Sequence, residues 1–222
     1  MQISPIAYVE NDLEEKFGAP RQSGLASELR SMLVFEAEYS IPEAFRGLED
    51  FGRIWLIWGF DRNENKGWSP TVRPPKLGGN KRLGVFATRS PFRPNAIGIS
   101  CVKLESIEYN KDKRAVLTVL GADLVNGTPI FDIKPYIPYA DCFPEEENLW
   151  ADPKLHPQLE VILDERLESS LGEERARALK QIIACDPRPG YKDDGGEYRM
   201  SYGGKTVVFT VADSRASVRE AE

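Results

Sequence analysis

Apolar positions in this chain fall in short runs, with turn residues between them. Residues 3–9 (ISPIAYV) are apolar and β-branched and predict a first strand. Residues 31–39 (SMLVFEAEY) predict a second. Residues 41–51 open with Pro42 at a first helical position and space Ile41, Ala44, Phe45, Leu48 and Phe51 as on a helix, which predicts a short helix. Residues 53–60 (RIWLIWGF) form a continuous aromatic-aliphatic run of strand length, which predicts a central strand buried on both faces. Further strands are expected over 83–88, 97–108, 114–120 and 130–135. A hairpin loop at 110–113 and a turn at Asn126-Gly127 separate some of them. Many short strands at turn-bounded intervals predict an all-β sandwich or barrel.

The pattern changes after 139–156, where Asp141, Glu145, Glu146, Glu147 and Asp152 lie among prolines and predict a linker. One more strand is expected over 159–163. Residues 165–171 and 173–184 predict helices, the second with Ala176, Leu179, Ile182 and Ile183 on one face. The helical pattern stops at Pro187 in DPRPGY, 186–191. Residues 198–202 and 205–212, joined by Gly203-Gly204, predict a hairpin. The tail DSRASVREAE is polar and is expected to fray.

Composition is that of a soluble globular chain: 41% hydrophobic, 29% charged, net charge −6. No apolar run reaches membrane-spanning length, and the first residues lack the basic and apolar regions of a secretory signal. Cys101, Cys142 and Cys185 are far apart and form no CxxC, which points to a reducing, cytoplasmic setting and away from a cysteine zinc site. His156 is the only histidine, so a Ser-His-Asp triad or a multi-histidine metal site is poorly supported, and no metal is expected.

Against this acidic background, residues 66–104 carry Lys66, Arg73, Lys76, Lys81, Arg82, Arg89, Arg93 and Lys103 and no Asp or Glu. Prolines and glycines make much of this stretch loop, and Trp68, Phe86 and Phe92 are interleaved with the charges. A basic, aromatic-bearing surface of this kind suits a polyanion. Guanidiniums match phosphate and carboxylate oxygens in pairs. A second constellation, GADLVNGTPIFDIKPY (121–136), sets Asp123 before a turn and Asp132 and Lys134 on one face of a strand. Spacing alone leaves that last pair equally a substrate-orienting group or a plain surface pair. Neither a GxGxxG nor a GxxxxGK[ST] fingerprint occurs.

Six strings, PRQ (20–22), GW.PTVRPPKLGGN (67–80), GVFATRSPFRPN.IG (84–98), DLVNGTP (123–129), DIKPY (132–136) and DPRPGY (186–191), resemble in order and spacing the TrmO family, also called TsaA-like or YaeB-like. The resemblance implies a mainly β fold, a small single-sheet β-barrel followed by a smaller C-terminal domain; with the acidic linker and the α+β pattern read from the residues, the expected division is a barrel over 1–140, a linker over 141–158 and a smaller α+β unit over 159–222. It further implies a homodimer that uses S-adenosylmethionine to methylate N6 of N6-threonylcarbamoyladenosine beside the anticodon of tRNA. Carried over position by position, cofactor contacts fall on Pro20, Arg21, Gln22, Asp61, Arg62, Arg89, Cys101, Ala122, Asp123, Leu124 and Val125.

The reaction implied by the resemblance removes a proton from N6, so a nearby group is expected to accept it or to stabilise the carbamoyl oxygen. Asp123, Asp132 and Tyr136 are the candidates. The threonyl carboxylate calls for a matched arginine, Arg93 or Arg188, and Arg73, Lys76, Lys81 and Arg82 are expected to serve the phosphate backbone. The competing readings are a non-catalytic RNA-binding or S-adenosylmethionine-sensing barrel and a protein-interaction scaffold.

Overall fold

The computed structural model describes residues 2–62, 67–74, 81–146, 158–188 and 195–221. Six antiparallel strands close into a barrel: β1 (Ala7–Glu10), β2 (Arg30–Phe35), β3 (Arg53–Gly59), β6 (Ile97–Tyr109), β7 (Ala115–Leu120) and β8 (Pro129–Pro135). Their order round the barrel is β1-β2-β7-β6-β3-β8, and β8 returns to β1. Alternate residues point inward, so Ala7, Val9, Leu33, Phe35, Ile54, Leu56, Trp58, Val102, Leu117, Val119 and Ile130 make one core. Closure pairs each strand with a neighbour on both sides, although the first half of β6, before Lys103, is paired only with β3. The outward residues Trp55 and Ile57 are half-buried, so β3 is covered on one face and not on two. A barrel this narrow has a single interior.

Two expected elements differ. Residues 41–51 form two single 3-10 turns, Pro42–Phe45 and Leu48–Asp50, and not a helix. Gly47 between them takes a left-handed φ of 86°, and Phe45 is drawn onto Phe35, edge to face at 4.9 Å, where it plugs the barrel. Residues 83–88 keep only β5 (Leu83–Gly84), paired with β4 (Thr71–Val72), before a 3-10 turn at Val85–Ala87.

A second core lies under a sheet of order β10-β11-β12-β9, formed by β9 (Glu160–Leu163), β10 (Glu197–Tyr202), β11 (Lys205–Ala212) and β12 (Arg215–Glu220). Helices α2 (Glu165–Leu171) and α3 (Glu173–Ala184) follow a four-residue helix α1 (Pro138–Asp141) and β9. The tail expected to fray is strand β12, paired on both sides, with Ala216 and Val218 buried. Asp213 and Ser214, at φ 50° and 61°, turn the chain back into it. The linker's 147–157, with His156, lie outside the described residues.

The two cores are joined through residues 11–29. Leu13, Ala26 and Leu29 leave the barrel's chain and bury in the second core. Asp12 pairs with Arg175 at 2.7 Å, the Glu28 N–H donates to Gln181, and the Ser201 N–H donates to Glu15. Among the described residues no helix is long and apolar enough to cross a membrane, and no cluster of three His, Cys, Asp or Glu could hold a metal.

Candidate functional site

A cleft of about 330 Å³ opens at the barrel rim, where β3 ends and β6 begins. Trp58, Phe60, Ile97 and Ile99 give it an apolar wall, while Arg21, Gln22, Thr88, Arg89, Arg93 and Asp123 give it polar groups. The ladder between β6 and β7 covers only 103–109 of β6, so the strand's first half has a free flank. The chain leaving β7 runs along that flank and brings Asp123 to Ser100. Residues 20–23 close over it from the other segment, and the Cys101 N–H donates to Ser23 Oγ at 3.1 Å.

Inside the rim, the Trp58 indole donates to Ser100 Oγ at 3.0 Å, and the Ser100 hydroxyl donates to Asp123 Oδ1. Burial pushes the Asp123 carboxyl above its ordinary range, and the Ser100 hydroxyl, the residue's own N–H and Arg89 pull it part of the way back. Burial likewise draws the Arg21 guanidinium down, against the pull of Asp186. Arg21 donates to the Arg188 carbonyl at 3.0 Å, and Arg188 grips Asp186 through two bonds of 2.9 and 3.0 Å. The 186–188 turn therefore braces a wall of the cleft in its own chain. Arg89 donates to Gln22, and Arg93 donates to the carbonyls of Val85 and Thr88 while lying 5.6 Å over the Phe86 ring.

A smaller hollow of about 170 Å³ adjoins the cleft and shares Trp58, Phe60 and Asp123 with it. Its other walls include Lys16, Asp61, Arg62, Leu124 and Val125. Arg62 is a staple: it donates to the Glu14 and Asn126 carbonyls at 2.8 and 2.9 Å, and its own carbonyl accepts from Lys16. A larger concavity, about 750 Å³, lies elsewhere, between β1, β2 and the α2–α3 junction. The Asp12–Arg175 and Arg30–Glu174 ion pairs lie among its walls.

The family model of the tRNA-methyltransferase O N-terminal domain matches residues 8–142. The chain belongs to the TrmO family. It is 40% identical to the tRNA (adenine(37)-N6)-methyltransferase of Escherichia coli, over 96% of this chain and 94% of that protein. A Pseudomonas aeruginosa protein that bears the name of an S-adenosylmethionine-dependent methyltransferase, RcsF, is 40% identical over 86% of this chain and 83% of its own length. The crystal structure of TrmO from Pseudomonas aeruginosa superposes with a TM-score of 0.80 at 32% identity, covering 100% of this chain and 98% of that one.

The TrmO resemblance implied residues that the fold distributes over several places. Pro20, Arg21, Gln22, Arg89 and Asp123 line the cleft together with Arg93, and Asp61, Arg62, Leu124 and Val125 line the adjoining hollow. Ala122 is buried in the barrel core. Cys101 faces outward on β6, and burial pushes its thiol up although Arg53 beside it acts the other way. Asp132 pairs with Lys134 at 2.9 Å on the barrel's outer face, and Tyr136 lies against Trp55 with ring centres 6.0 Å apart. Arg73, Lys81 and Arg82 are exposed on the 67–74 and 81–96 loops, and Lys76 lies outside the described residues. Sequence reasoning missed Trp58, Phe60 and Ser100. A trace of Ser100 was present: Gly98 and Ser100 are small at inward positions of a strand whose next inward residues, Val102 and Leu104, are apolar and buried.

Proposed function

We propose that this chain is an S-adenosylmethionine-dependent tRNA methyltransferase that adds a methyl to N6 of N6-threonylcarbamoyladenosine at position 37, beside the anticodon of threonine-type tRNAs. The carrying observation is Asp123: a carboxylate sunk in a rim cleft between an aromatic wall and three arginines. Membership of the TrmO family and the name of its E. coli relative support the reaction class.

The cleft's donor set suits the cofactor. Its volume lies in the range of small-molecule sites. Trp58, Phe60, Ile97 and Ile99 suit a purine, Asp123 suits a cation, and Arg21 and Arg89 suit a carboxylate. When bound, S-adenosylmethionine supplies an electrophilic methyl on a sulfonium. The residues of this chain do the rest. The walls align donor and acceptor and exclude water. Asp123 takes the N6 proton, a task helped by its raised affinity for protons. Asp132 and Tyr136 stand on the barrel's exterior, away from the cleft, which favours Asp123 of the three. Arg93 is assigned the threonyl carboxylate because it lines the cleft, whereas Arg188, paired with Asp186, is not among the cleft's walls. Arg73, Lys76, Lys81 and Arg82 are assigned to the tRNA backbone.

The same reading takes the protein as a cytoplasmic homodimer, divided at 1–140, 141–158 and 159–222. Ile97 and Ile99, 38% and 48% exposed beside the cleft, form an apolar rim suited to a second copy. The test uses methyl-labelled S-adenosylmethionine and a threonine tRNA with and without threonylcarbamoyladenosine. Label on the modified tRNA alone is expected. Label on neither, with cofactor binding intact, would move the reading to a sensing barrel.

A further inference from the structure

A proton acceptor must offer one oxygen to the substrate with its lone pair free. The groups behind Asp123 are arranged to do this. An indole nitrogen has a hydrogen to give and no lone pair to receive one. Trp58 therefore donates to Ser100 Oγ, and the direction cannot reverse. Ser100 is 1% exposed, inside the barrel, so water does not compete for it. Its hydroxyl has one proton, and that proton is directed at Asp123 Oδ1. Oδ1 is thus committed as an acceptor, and a proton arriving on the carboxylate goes to Oδ2.

The indole itself is held by two neighbours. The Phe60 ring meets it edge-on, with centres 4.3 Å apart. A Cβ at Gly98 would lie 2.4 Å from the indole ring, so the indole occupies the space that any other residue there would fill. Gly98 lets the indole reach Ser100.

We infer that Trp58 and Ser100 are positioning residues, which orient Asp123 so that Oδ1 is occupied and Oδ2 is reserved for the substrate proton; this rests on the reading of Asp123 as proton acceptor. The other charged groups near the carboxylate are Arg89 and Arg93 of the 85–96 loop, Arg21 of the 11–29 segment, and Lys16, Asp61 and Arg62 of the adjoining hollow. None of them is hydrogen-bonded to Ser100 or to Trp58, whose bonds run to each other and to Asp123.

The full chain is made as Ser100→Ala, Ser100→Thr and Trp58→Phe. Two quantities are followed: the titration of the Asp123 carboxyl carbon by NMR in the free protein, and the pH profile of single-turnover methyl transfer. A hydrogen bond to the charged form favours that form, so its loss moves the carboxyl titration upward. In Ser100→Ala the acid limb of the rate profile is expected to move upward with it, lowering the rate on that limb about tenfold. Trp58→Phe is expected to act in the same direction and more weakly, and Ser100→Thr, which keeps the hydroxyl, to restore the wild-type titration. An unmoved titration in both Ser100→Ala and Trp58→Phe overturns the inference, as does a threonine variant that titrates like the alanine one. A titration that moves while the rate profile stays in place overturns it at its base instead, because Asp123 is then not the acceptor.

Discussion

Asp123 binds its proton more tightly in the folded protein than the ordinary value of 3.8 allows, because burial disfavours the charged form. Between those two values the folded state holds more protons than the unfolded one, so stability falls as pH rises through that window and stays lowered above it. Asp123→Asn keeps the shape and the acceptor for Ser100 but removes the charge. At pH 7 it is expected to melt at a higher temperature than the parent, with the gap closing below about pH 4 as the parent's carboxyl is protonated in both states. Methyl transfer by the same variant is expected to fall by about 10²–10⁴-fold. Thermal scans at both pH values and one rate assay check this, and an equal or lower melting temperature at pH 7 would contradict it. Asp123 was singled out in the sequence by its place before a turn, whereas Ser100 was not. A serine within a strand carries no mark of its partner, and its meaning comes from Trp58, 42 positions earlier, and Asp123, 23 positions later.

Elements were legible where a local signal agreed with the tertiary demand. Helices α2 and α3 have the bounds that sequence spacing predicts, 165–171 and 173–184. Asp164 caps α2, its carboxylate accepting from the N–H groups of Arg166 at 2.9 Å and Leu167 at 3.4 Å. Gly172, at φ 76°, separates the two helices. Asp164→Ala should cost about 1 kcal/mol of stability by chemical denaturation, with activity at permissive temperature unchanged. No loss of stability would mean that the cap is replaced by solvent. Residues 41–51 and 213–220 were misread for opposite reasons. The first has helical spacing, but Gly47 and the pull of Phe45 into the barrel override it. The second has only Ala216 and Val218 as its apolar stripe, too faint a pattern until β9 and β11 are present on either side.

At the scale of the whole molecule, the segment 11–29 couples the second core to the cleft. Its apolar residues are held by α3 and β10, and its Pro20, Arg21 and Gln22 form a cleft wall. The 186–188 turn adds a second hold through the bond from Arg21 to the Arg188 carbonyl. Asp186 is at a left-handed φ of 49°, and the Arg188 guanidinium clamps it there. Arg188→Ala should loosen that turn and weaken S-adenosylmethionine binding about tenfold, the loss of roughly one hydrogen bond to a charged group. Titration calorimetry measures it directly. Unchanged affinity with a normal melting temperature would show that Arg21 needs no such brace.

The chain by itself determined the β-rich first part, the two helices, the terminal hairpin, the acid-free basic stretch and, through six motifs, the family. These depend on period, turn residues and strings of neighbours, all of which are local in the sequence. Only the tertiary structure decided that six strands close into a barrel, that the tail is a central strand, and that residues 11–29 bury in the second core. Only it separated Asp123 from Asp132 and Tyr136, because which carboxylate enters a cleft depends on strand register and on which flank of β6 is left free. Those are relations between segments far apart in the chain, and they are set by how the barrel fills and closes.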